Sequence, residues 1–146
     1  MVPWYTVPMR FTIYGDGGSR GNPGPSGSGA IIRNSEGETI ATVSEFIGIA
    51  TNNVAEYTAV VRALETLVEM LESKAKGAEV HVRLDSMLVV RQMNGEWKIK
   101  HPSMKPLAAR VSELVPLFKS VSFEHVYRES NLDADRLANE AMDRGV

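Results

Sequence analysis

This 146-residue chain has no cysteine. That excludes disulfides, cysteine nucleophiles and thiolate zinc sites, and it is compatible with the cytoplasm, where we expect the protein to act. There is no basic excess either: the net charge is −2. The chain therefore lacks the overall basic footprint usual in nucleic-acid binders, and such binding would need a local basic face beside an acidic centre. No apolar run approaches the ~20 residues of a membrane span. Residues 1–8 carry two prolines and lack the charged-then-apolar layout of a signal peptide. No membrane association is expected. Repeats and low-complexity tracts are missing too. The hydrophobic fraction of 43% and charged fraction of 23% suit one soluble globular domain. We expect an irregular leader over 1–8, a single domain over 9–146, and a monomer, since no apolar patch is obvious.

The most informative stretch is Tyr14-Gly15-Asp16-Gly17-Gly18-Ser19-Arg20-Gly21-Asn22-Pro23-Gly24-Pro25. Alternation of Arg10, Thr12 and Tyr14 with Phe11 and Ile13 predicts a strand over 9–14 that delivers Asp16 at its carboxyl end. A glycine- and proline-rich turn is expected to follow, reaching to about Ser26, where the backbone folds sharply and approaches something bulky. By itself an Asp-Gly pair does no more than open a turn. The reading gains force from three further carboxylates.

Strands are predicted over 28–33 and 38–47, joined by the Asn34-Ser35-Glu36-Gly37 turn, completing an antiparallel meander. The period then becomes helical: Val60, Ala63, Leu64, Leu67, Val68 and Leu71 share one face, and Thr51 or Asn52 can cap the helix. Val80, Val82 and Leu84 alternate with polar neighbours in a fourth strand ending at Asp85. A short helix follows over 86–93. A polar connection containing Trp97 leads to a helix opened by Ser103 and Pro106 and ended by Pro116. A fifth strand is predicted over 121–127, and Asn131 caps a last helix. The order predicts an α/β fold with a five-stranded mixed sheet and helices on both faces. Right-handed crossovers make strands one, four and five parallel.

If strand one points up, Asp16 and Asp85 lie at upper strand ends, and Glu56 and Asp135 lie in the first turns of helices that start at the same edge. Ligands of open sheets bind outside the carboxyl ends of the strands. Four converging carboxylates repel one another unless cations join them, and oxygen ligands select Mg²⁺ first and Mn²⁺ next. Two such ions ~3.5–4 Å apart form a clamp for in-line attack on a phosphodiester.

Over residues 9 to about 143 the chain resembles a type 1 ribonuclease H. The resemblance rests on Asp16 to Pro25, on Thr51-Asn52-Asn53-Val54-Ala55-Glu56, on Asp85-Ser86, and on Asn131-Leu132-Asp133-Ala134-Asp135-Arg136-Leu137-Ala138. It implies endonucleolytic cleavage of the RNA strand of RNA–DNA hybrids, leaving 5′-phosphate and 3′-hydroxyl ends. It also implies that Asp16, Glu56, Asp85 and Asp135 hold two Mg²⁺ ions. The same resemblance gives Asn22, Asn52 and the glycine loop (Gly17, Gly18, Ser19) contacts to the hybrid's minor groove, whose 2′-hydroxyls such groups can read. Asn53 either shares this role or helps to cap the helix.

Two departures stand out. The family's best-known bacterial form has a basic helical protrusion. Here a short connection carries only Lys98, Lys100, His101 and Lys105, either in phosphate contact or solvated. The family also often carries a loop histidine before its last aspartate. His125 sits within Phe123-Glu124-His125-Val126-Tyr127, which reads as a strand, so Arg128 is the better surrogate. An arginine cannot act as a base, but it can hold the scissile or departing phosphate. The competing reading is an exposed loop arginine. His81 and His101 receive no role. A dinucleotide site fails because the loop lacks G-x-G-x-x-G spacing and leads into a strand. A serine hydrolase fails for want of a Gly-x-Ser-x-Gly elbow. The remaining alternatives are a non-catalytic binding module on the same fold and a nuclease of that superfold acting on another duplex.

Overall fold

The structure is a computed structural model that describes residues 9–146; the expected leader lies outside the described residues. Five strands, β1 (Met9–Ser19), β2 (Gly24–Arg33), β3 (Thr39–Ala50), β4 (Ala78–Leu84) and β5 (Ser120–His125), form one sheet in the order β3-β2-β1-β4-β5. Pairing of β1 with β2 and of β2 with β3 is antiparallel, whereas β1–β4 and β4–β5 are parallel. Four helices connect or follow the strands: α1 (Asn52–Leu71), α2 (Met87–Met93), α3 (Lys105–Leu114) and α4 (Leu132–Arg144). The mixed sheet and element order match the expectation.

Alternation explains the two-sided packing. Ile13 of β1, Ala30 and Ile32 of β2, and Val80, Val82 and Leu84 of β4 are buried in one core with Val60, Leu64 and Leu67 of α1 and Val111 and Leu114 of α3. On the opposite face α4 lies over β1, β2 and β3, burying Ala134, Leu137, Ala138 and Ala141.

The glycine-rich stretch differs from its prediction. β1 does not stop near Tyr14 but runs to Ser19, and β2 begins at Gly24, so Gly17–Ser19 pair with Ser26–Ser28 inside a hairpin. Only residues 20–23 turn. The glycines within the strands supply room instead of a bend. A Cβ on Gly17 would collide with the backbone of Ala55 and Glu56, and one on Gly29 with the backbone of Ala134 and Ala138. Each helix can therefore seat its first turns directly on the sheet.

Thr51 is the cap of α1, its Oγ1 accepting from the Val54 amide at 3.3 Å, which leaves Asn53 without a capping role. Asn131 occupies the N-cap position of α4, but its side chain makes no capping bond. It points inward and donates from Nδ2 to the Gly15 carbonyl at 2.8 Å. Pro116 falls in a 3-10 turn (Val115–Leu117) directly after α3. Strand β5 ends at His125, two residues short of the prediction, and a 3-10 turn (Arg128–Ser130) leads to α4.

Candidate active site

The last parallel pair between β1 and β4 is Gly15 with Leu84. Asp16 and Asp85 are the next residues of the two strands' paths, so the register brings them side by side above the sheet. The close seat at Gly17 brings Glu56 to the same place: its Oε1 accepts from the Gly17 amide at 3.1 Å. One ligand atom from each of Asp16, Glu56 and Asp85 lies within 4.8 Å of the others. Asp135, in the first turn of α4, lines the same cleft of about 640 Å³.

Burial sets the electrostatics. Asp16 is 6% exposed and Glu56 4%. Desolvation, opposed by a hydrogen bond with Glu56 and reinforced by the charges of Asp85 and Asp135, pushes Asp16 up to about 7. Desolvation likewise holds Glu56 well above the usual carboxylate range, with Asp16 and Asp85 adding to it. Glu56 Oε2 is buried with no hydrogen-bond partner among the described residues. Acidic groups that share one buried corner, with an acceptor left over, form a donor set for a hard cation.

The other predicted residues divide. Gly17, Gly18, Ser19, Asn52 and Asn53 line the cleft beside the carboxylates. Ser19 Oγ is engaged internally, donating to the Ala50 carbonyl at 2.8 Å. Asn22 stands apart from that cleft. Its Oδ1 accepts from the Asn52 amide at 3.0 Å, and it lines an adjoining pocket of about 240 Å³ with Thr51, Asn53, His101, Ser103 and Met104. Arg128 stands on the cleft rim, 76% exposed, with Nη2 3.7 Å from Asp135 Oδ1.

Several residues at the cleft went unassigned in the sequence. Asn139 lines it and donates to the Asp135 carbonyl at 2.9 Å; its position four after Asp135 on a helix puts the two on one face, a legible signal. Ser86 lines it while capping α2. His125 is a strand residue, as expected, yet it ends its strand at the cleft, its ring edge-on to exposed Tyr127 at 5.8 Å. His101 joins Asn22 across a long sequence separation that no local pattern announces.

The protein-family description "Reverse transcriptase-like" matches residues 15–141. Among curated proteins, Bifunctional protein Rv2228c of Mycobacterium tuberculosis is 45% identical over 136 residues, covering 92% of this chain and 36% of the relative. Ribonuclease HI of Halobacterium salinarum is 40% identical over 134 residues, covering 92% of this chain and 65% of the relative. The chain thus spans about a third of the length of the first of these relatives and about two-thirds of the second. Among solved structures, LC11-RNase H1 in complex with an RNA/DNA hybrid superposes with a TM-score of 0.87 at 46% identity, over 92% of this chain and 97% of that one. The N-terminal RNase H domain of Rv2228c gives 0.85 at 44% identity, over 92% and 99%.

Proposed function

The chain belongs to the type 1 ribonuclease H family, and from that premise we propose that it is a metal-dependent endonuclease that hydrolyses the RNA strand of RNA–DNA hybrids to 5′-phosphate and 3′-hydroxyl ends. The observation that carries the reading is the corner where ligand atoms of Asp16, Glu56 and Asp85 approach within 4.8 Å, two of the residues buried and one carboxylate oxygen without a partner among the described residues. In this reading Asp16, Glu56, Asp85 and Asp135 hold two Mg²⁺ ions, with Mn²⁺ as a substitute. When bound, such a pair lowers the pKa of an attacking water and offsets charge on the leaving 3′ oxygen.

The chain's own side chains do the rest. Exposed Arg128, tethered loosely to Asp135, holds the scissile or departing phosphate by charge-assisted hydrogen bonds. Gly17, Gly18, Ser19, Asn52 and Asn53 form the floor on which the minor groove lies, where amide groups read 2′-hydroxyls. Asn22 orients the start of α1 through the Asn52 amide and offers its own amide to the same groove. Exposed Lys98, Lys100 and Lys105 give phosphate contact without a long protrusion. The domain acts as a monomer in the cytoplasm. No described helix is long and apolar enough to cross a membrane.

Offering a hybrid, a DNA duplex and an RNA duplex of one sequence tests the substrate. Cleavage confined to the RNA strand of the hybrid is expected. Equal cutting of the DNA duplex would defeat the assignment, as would hybrid binding without cutting in either Mg²⁺ or Mn²⁺.

A further inference from the structure

We infer that Asn131 is a positioning residue that clamps together the carriers of two carboxylates, Asp16 and Asp135, an inference that rests on the metal-site reading above. Asn131 is 1% exposed. Its Nδ2 donates to the carbonyl of Gly15, the residue before Asp16. Its backbone carbonyl accepts from the Asp135 amide at 3.1 Å, the first hydrogen bond of the helix. Gly15 is paired with Leu84, the residue before Asp85, and the Leu84 carbonyl in turn accepts from Val126 at 2.8 Å. One side chain thus joins the strand carrying Asp16 to the helix carrying Asp135, at the level where the neighbouring strand delivers Asp85.

Asn131 forgoes its ordinary use to do this. At an N-cap an asparagine oxygen normally accepts from the first-turn amides, and here it does not. Instead Asn131 Oδ1 is buried without a partner among the described residues. The amide cannot be turned to relieve this, because the Gly15 carbonyl accepts only and would then face another oxygen. An unsatisfied buried acceptor is costly, and a local rule broken at this cost is expected where function requires it. Groups that orient metal-binding side chains typically change metal affinity or activity 10–100-fold when removed.

The test compares Asn131→Asp, which keeps the shape but loses the donor, with Asn131→Ala. Leu114→Ala, in the core away from the cleft, serves as a control matched for stability. Calorimetric titration of the free protein with Mn²⁺, and the split between kcat and KM on hybrid, are read well below each Tm. We expect both Asn131 variants to bind Mn²⁺ about 10-fold or more weakly and to lose about 10–100-fold in kcat with KM changed less than about twofold. Leu114→Ala should keep both properties. Asn131 variants that are no less stable than Leu114→Ala yet bind Mn²⁺ and turn over like the wild type would overturn the inference. A measurement on the unaltered chain covers variants that fail to fold. The Asn131 side-chain amide protons should exchange slowly and shift on Mg²⁺ addition, and fast exchange with no shift would equally overturn it. If the unaltered protein binds metal but cuts no hybrid, the nuclease reading fails while the clamp is still judged by metal affinity.

Discussion

The two halves of the cleft are built in opposite ways. Asp16 and Glu56 are buried and pushed toward the neutral form, with Glu56 held by the Gly17 amide. Asp135 and Arg128 sit on the other side, 27% and 76% exposed, in a loose ion pair. A buried carboxylate pair is unfavourable as dianions and becomes favourable only with a cation. An exposed guanidinium is screened by water and contributes little until a phosphate arrives. In the proposed function the buried half is where the metal ions and the chemistry belong, and the exposed half is the part that meets the phosphate.

Breaking the acidic corner that the buried half forms with Asp85 should have the largest effect. Asp85→Asn, which removes a ligand charge at a half-buried position, is expected to lower kcat at least ~10³-fold, the scale on which a preorganised electrostatic group contributes, with the circular dichroism spectrum unchanged. Retained turnover in Mg²⁺ would break the four-carboxylate account. Next comes the close seat of α1. Gly17→Ala places a methyl against the backbone of Ala55 and Glu56 and should destabilise by about 1–3 kcal/mol, as overpacking does, while weakening Mg²⁺ binding. Denaturant melts and calorimetry check this.

The comparison also makes a pH prediction. Asp16 is raised from 3.8 to about 7, so between those values the folded chain holds a proton that the unfolded chain has lost. Without metal, stability is then greatest below about pH 4 as far as this group is concerned and falls as pH rises toward 7. Glu56, raised as well, acts in the same direction. Melts in EDTA should show this decline. Mg²⁺, binding the charged form, should raise Tm more at pH 8 than at pH 5. A metal-induced Tm shift independent of pH would contradict it. The smallest effect belongs to the exposed half: Arg128→Ala should cost about 10-fold in kcat/KM, near the value of a charge-assisted hydrogen bond, with Tm and metal affinity unchanged. Lysine at that position should restore part of the activity, having charge without the planar fork.

Much of this was legible in the sequence because periodicity and chain order are local. Alternating Val80, Val82 and Leu84, the helical stripe from Val60 to Leu71 and the handedness of crossovers together set one edge on which Asp16, Glu56, Asp85 and Asp135 all fall. Gly17 misled because a sequence does not distinguish a glycine used for a turn from one used for space. Gly17 and Gly29 make room for helices that lie far away in the chain. Asn131 misled in a related way. Its N-cap position was readable, but the acceptor that captures its side chain, the Gly15 carbonyl, belongs to the other end of the chain. The meeting of Asn22 with Asn52 and His101 depends likewise on tertiary placement.

The central claim, that the buried acidic corner is a cation site for cutting RNA in hybrids, is tested most directly with an end-labelled RNA–DNA hybrid incubated with Mg²⁺, beside an EDTA control and the Asp85→Asn variant. The account predicts RNA-strand cleavage that disappears in both controls while the DNA strand stays whole. Cleavage that persists in EDTA or in Asp85→Asn, or an intact hybrid that the protein nevertheless binds, would contradict it.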